Sequence, residues 1–77
     1  MTGHLPVLKA GEVIRALQNA GFVLKRVAGS HHIFAHRDDP ARITIVPVHG
    51  RRDLKPGTLH GIIKQSGLTV EEFKNLL

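Results

Sequence analysis

Near the start of the chain, apolar residues recur three and four positions apart. Val13, Ile14 and Leu17, joined by Ala16 and Ala20, form one stripe of a helix within KAGEVIRALQNAGF, and Gly21 is placed to stop it. The period then shortens. FVLKRV, Phe22 to Val27, reads as a strand with Phe22 and Leu24 on one face and Val23, Lys25 and Val27 on the other. Gly29-Ser30 follows as a hairpin turn, and HHIFAH, His31 to His36, supplies a second strand. Arg37-Asp38-Asp39-Pro40 is a turn by composition. RITIV, Arg42 to Val46, is a third strand rich in β-branched residues, and Pro47 is expected to close it because proline cannot donate to a ladder. Helical spacing returns with Leu59, Ile62 and Ile63, between Pro56 near the first turn and Gly67 at the stop. Thr69-Val70-Glu71-Glu72 is a capping box with Leu68 placed to staple onto Phe73, so the last helix is short, running to Leu76 or Leu77.

Three short consecutive strands joined by tight turns make an antiparallel meander. A sheet of that size needs cover on its apolar side, so both main helices are expected on one face. The fold class is therefore α+β, in the order α-β-β-β-α with a small C-terminal helix. That order resembles the double-stranded-RNA-binding domain, although fold order alone does not assign a function. Nothing in the chain looks like a linker, repeat or low-complexity segment, and residues 1–77 are read as a single domain.

Composition narrows the compartment and the partner. There is no cysteine, so no disulfide staple or thiolate metal site, which fits a reducing compartment. No apolar run approaches the ~20 residues of a membrane span, and MTGHLPVLKAGE lacks the apolar block of a signal peptide. A cytoplasmic protein with no membrane partner is expected. Eleven Lys and Arg against six Asp and Glu give a formal charge of +5. On one small domain that excess favours a polyanion, nucleic acid first and an acidic protein second.

Six histidines invite three kinds of chemistry. Metal binding is not favoured. His32 and His36 share a strand face, but four residues at ~3.3 Å each set them about 13 Å apart, too far to share a zinc ion bonded at ~2.0–2.1 Å. Adjacent His31 and His32 point to opposite faces, and no carboxylate neighbours them. No metal or other cofactor is expected. Nucleophilic catalysis by Ser30 and His31 also fails, since neighbouring side chains diverge in an extended strand. General acid–base work survives, because an imidazole near neutrality can take or give a proton. RNA carries its own nucleophile in the 2′-hydroxyl, so a protein that removes that proton and offsets phosphate charge can cleave it without metal. Lys25 and Arg26 before the turn, and Arg51, Arg52 and Lys55 before the second helix, are the cations available. The amides of Gly57 and Thr58 at that helix's start are further phosphate donors. His4, His36 and His60 are read as structural or merely exposed.

Four stretches together carry a resemblance. Gly21-Phe22, GSHHIF at Gly29 to Phe34, VPVHG at Val46 to Gly50, and LKPGTLHGIIKQSGL at Leu54 to Leu68 stand in matching order, and the chain resembles the HicA (YcfA-like) toxin family over nearly its whole length. The resemblance implies a double-stranded-RNA-binding-like fold and an mRNA interferase of a type II toxin–antitoxin system, independent of metal. It makes His31, in the G-S-H motif, the histidine needed for toxicity. The implied partners are mRNA and a HicB antitoxin that covers the active surface. Contact with DNA is expected only through that antitoxin.

On this reading His31 is the catalytic acid–base group, and Lys25, Arg26, Ser30, His32, Arg51, Arg52 and Lys55 are the RNA-contacting residues. His32 either stacks on or hydrogen-bonds RNA, or fills the opposite face. Which face carries His31 is open, because Ile33 and Ala35 beside it and Phe34 opposite are all apolar. The group that protonates the leaving oxygen is open too: His31 acting twice, a lysine, His49 or water. The competing readings are a non-catalytic RNA-binding module on the same fold and a purely structural partner of an acidic protein. Shape recognition of duplex RNA spans ~16 base pairs, a long footprint for this chain, and a binder needs no imidazole at the turn.

Overall fold

A computed structural model describes residues 5–77; His4 lies outside them. The elements are α1 (Ala10–Asn19), β1 (Phe22–Ala28), β2 (His31–His36), β3 (Ile43–Pro47), α2 (Pro56–Ser66) and α3 (Val70–Lys74). The strands form one antiparallel sheet in the order β1-β2-β3. This is the expected α-β-β-β-α architecture.

Alternation along β2 sorts the sheet into two faces. Phe34 is buried while His31 is exposed, so even-numbered positions of β2 face the helices. Cross-strand partners share a face, which puts Phe22, Leu24, Thr44 and Val46 on that side as well. Phe22, Phe34 and Val46 join Val13, Ala16 and Leu17 of α1, Leu59, Ile62 and Ile63 of α2, and Phe73 of α3 in a single core. The buried Thr44 hydroxyl donates to the Ile62 carbonyl at 3.2 Å, which removes the penalty for an unpaired polar group there.

Two polar clasps lock the helices to the sheet. The Arg42 guanidinium donates through Nε (3.0 Å) and Nη2 (2.7 Å) to the Ser66 carbonyl at the C-terminal end of α2, and lies 5.5 Å from the centre of the Phe22 ring. A cation there also suits the negative end of the helix dipole. At the other side, His36 Nε2 donates to the Ala20 carbonyl (2.9 Å) while Nδ1 accepts from the Asp38 amide (3.1 Å). Its ring stands edge-on to Phe22, with centroids 5.2 Å apart. His36 thereby pins the end of α1 to the sheet.

The structure departs from the sequence expectation in places. A bulge between Leu24 and Arg26 inserts one extra residue in β1, so alternation flips after it. Val27 consequently lies on the helix side with Phe22 and Leu24, not opposite them. β1 runs one residue further, to Ala28, and β3 is displaced by one, starting at Ile43 and including Pro47. Proline is admissible there because β3 is an edge strand and the missing N–H points away from β2. Gln65 Oε1 accepts from the Ile45 amide (3.4 Å) on the same edge, so β3 presents few free donors. α3 ends at Lys74 rather than at Leu76 or Leu77, and Leu76 and Leu77 close in tighter turns on the carbonyls of Phe73 and Lys74. The Thr69–Glu72 box is formed: the Glu72 amide donates to Thr69 Oγ1 (3.0 Å) and the Thr69 amide to Glu72 Oε1 (2.8 Å). These bonds hold the Glu72 carboxyl below its usual value.

Candidate functional site

The sheet's second face is uncovered by any helix. It carries Val23, Arg26 and Ala28 from β1, His31, Ile33 and Ala35 from β2, and Ile43, Ile45 and Pro47 from β3. Val23, Ile43 and Ile45 remain 45%, 48% and 39% exposed, an unusual concentration of bare aliphatic surface on so small a sheet. His31 belongs to this open face, which resolves the ambiguity left by the sequence.

The turn that presents His31 follows from Gly29. Its φ of +60° at the first central position of a two-residue hairpin loop is what a type II′ turn demands, and a glycine supplies it without strain. The carbonyl of Ser30 accepts from the Val48 amide at 2.7 Å, so the turn is tied to the chain leaving β3. His31 then sits between Ala28 and Pro47 in register, at the end of the central strand. Its ring is exposed and makes no hydrogen bond among the described residues. Both nitrogens are free for an incoming ligand.

Next to Pro47 opens a cleft of about 340 Å³. His49, Arg52, Asp53 and Lys55 line it together with Leu54 and with Thr58 from the first turn of α2. That first turn contains no acidic residue and its N-cap, Lys55, provides no side-chain acceptor. Asp53 is the acidic group of the cleft beside that helix end, and it is shared with Lys9. Arg26 stands diagonally from His31 on β1, since it pairs with Ile33 and Ala28 pairs with His31. The nearest acidic groups are already engaged by one residue. Lys9 Nζ donates to Asp53 Oδ1 (2.9 Å) and to the Arg51 carbonyl (3.1 Å), and the Lys9 amide donates to Glu12 Oε1 (2.9 Å). The hydrogen bond and charge of Asp53 raise the Lys9 ammonium above its usual value. The Leu54 amide also donates to the Leu8 carbonyl at 2.8 Å. The basic loop is thus fastened to the start of α1 at both side chain and backbone.

The residues expected from sequence to contact RNA divide accordingly. His31 and Arg26 share the open face, with Lys25 at the bulge beside them; Arg52 and Lys55 line the cleft. Ser30 forms the turn. Arg51 is exposed but does not line the cleft, and the structure uses its carbonyl. His32 points to the helix side, opposite His31, where its Nδ1 is buried without a hydrogen-bond partner among the described residues. Among the described residues, no three His, Asp or Glu side chains gather closely enough to hold a metal ion, and no helix is long and apolar enough to cross a membrane. Sequence reasoning missed Lys9 and Arg42, whose partners lie 42 to 44 and 24 positions away. No local motif announces such pairs.

An exposed imidazole on a rigid strand end, flanked by an arginine and a cationic cleft, can exchange a proton beside a bound polyanion. No curated relative matches the chain. A family model described as the HicA toxin of bacterial toxin–antitoxin does match, over residues 10–68. By that match across most of its length, the chain belongs to the HicA toxin family.

Proposed function

We propose that this toxin is an endoribonuclease acting on mRNA, with His31 as its acid–base group and no metal in the reaction. The observation that carries the reading is the His31 ring itself, exposed on the open sheet face with both nitrogens unengaged. Neutral His31 removes the proton of a ribose 2′-hydroxyl, and the resulting oxygen attacks the adjacent phosphorus. Arg26, Arg52 and Lys55, with the amides at the start of α2, offset charge on the phosphate oxygens. Cleavage by this route leaves a 2′,3′-cyclic phosphate and a 5′-hydroxyl. Lys25 and the Ser30 turn guide the strand past His31, while His32, on the helix side with its Nδ1 buried, fills the opposite face.

The partner that restrains the toxin is, on this reading, a HicB-type antitoxin seated on the open face. Val23, Ile33, Ile43 and Ile45 give a protein an apolar surface to bury, and covering it hides His31. Expression in a bacterial host tests both parts. Wild type should arrest growth with loss of mRNA, His31→Ala should not, and an antitoxin should rescue growth. Full toxicity of a folded His31→Ala variant would remove His31 from the mechanism. An innocuous wild type that binds RNA would favour a non-catalytic RNA-binding module.

A further inference from the structure

In-line displacement at phosphorus sets the attacking and leaving oxygens on opposite sides of the phosphate. One imidazole cannot touch both at once, so a reaction begun by His31 calls for a second proton carrier facing it. The geometry points to His49: we propose that it is the general acid that protonates the departing 5′-oxygen, and this rests on the ribonuclease reading of His31.

The placement follows from the ladder. His31 is in register with Pro47, and the Val48 amide extends the pairing to Ser30. His49 therefore follows two residues after the cross-strand partner of His31, just beyond the end of β3, so its Cα lies within about 7 Å of that of Pro47. Two rings on either side of Pro47 can bracket a single phosphodiester. Pro47 is the neighbour they share, being the cross-strand partner of His31 and a wall of the cleft that holds His49.

The other candidates fit less well. Lys55 and Arg52 line the same cleft, but lysine and arginine as a class hold their protons too tightly near neutrality to give them up readily. They suit the non-bridging oxygens. Asp53 is occupied by Lys9, which leaves imidazole as the group in the cleft able to donate a proton and recover it.

The step balances. The 2′-hydroxyl proton passes to His31 as the 2′-oxygen–phosphorus bond forms. The phosphorus–5′-oxygen bond breaks as imidazolium His49 gives its proton to that oxygen. Solvent then returns a proton to His49 and takes one from His31.

The test uses an RNA oligonucleotide cut by the wild type at a mapped position, and the same oligonucleotide with sulfur replacing the bridging 5′-oxygen there. A thiolate leaves without protonation. His49→Ala should cut the oxygen substrate about 10²- to 10⁴-fold more slowly than wild type, yet cut the sulfur substrate within a few-fold of it. His31→Ala should be slow on both. His49 is exposed, so circular dichroism should show both variants folded, and His49→Gln should repeat the Ala pattern. Equal slowing of His49→Ala on both substrates, or wild-type speed on the oxygen substrate, overturns the assignment. A wild type that cuts neither substrate, or a His31→Ala variant that cuts both, instead removes the underlying ribonuclease reading and the assignment with it.

Discussion

Truncating Arg42 should be among the most damaging single changes outside the apolar core. Its guanidinium holds the Ser66 carbonyl with two N–H groups at 3.0 and 2.7 Å and lies over Phe22. Because both bonds share one acceptor, they count as one strong interaction of about 1.5–3 kcal/mol. Contact with the Phe22 ring adds roughly 0.5–1 kcal/mol. Arg42→Ala also removes one cation from the end of α2, Lys64 remaining in its last turn, so the total is about 2–4 kcal/mol. For a domain of this size that corresponds to a melting temperature lower by roughly 8–32 °C, at about 4–8 °C per kcal/mol. Arg42→Lys keeps the charge but loses the fork and the planar stacking, and should fall between the two. Thermal unfolding followed by circular dichroism at neutral pH measures all three proteins. A loss below about 4 °C for Arg42→Ala, or a lysine variant as stable as wild type, would show that the α2 terminus does not depend on this clasp.

Gly21→Ala should destabilise by roughly 1–3 kcal/mol in the same melt, because φ there is +101° and an added Cβ would lie 3.0 Å from His36 Nε2, displacing the bond that pins α1. Glu72 bears on pH dependence. Its carboxyl is held low by the Thr69 bonds, so its contribution is present above the ordinary value of 4.5 and is lost as pH falls through the lowered folded value. Thr69→Ala should flatten that acid limb in a pH series of melts, and an unchanged limb would exclude the box as its source. RNA affinity should fall with salt. Arg52→Ala and Lys55→Ala should each reduce the slope of log affinity against log salt by about 0.7 for a single strand, whereas Arg51→Ala, outside the cleft, should leave it unchanged. Asp53→Ala releases Lys9 and loosens the basic loop, so cleavage should slow while the melting temperature stays within a few degrees.

The elements were legible because the hydrophobic period changes sharply at Gly21 and again after Pro47. The register was less so. A bulge adds one residue without any local signature, and the face of Val27 depends on it. The face of His31 could not be read from the chain, since Ile33, Phe34 and Ala35 are all apolar; the docking of α1 and α2 onto the Phe34 side decides it. The cleft was legible only in parts. Arg52, Lys55 and Thr58 sit close together in sequence and were recognised as candidate phosphate contacts. The clasp that holds them depends on Lys9, 44 positions before Asp53, and pairings over such distances are set by the folded topology alone.

The central claim is that His31 cleaves RNA through the 2′-hydroxyl. Purified wild type and His31→Ala, incubated with RNA in excess EDTA and followed by analysis of product ends, test it most directly. Wild type should yield 2′,3′-cyclic phosphate and 5′-hydroxyl ends, and folded His31→Ala should yield no cleavage. Equal cutting by the two proteins, 5′-phosphate ends, or binding without cutting would contradict it.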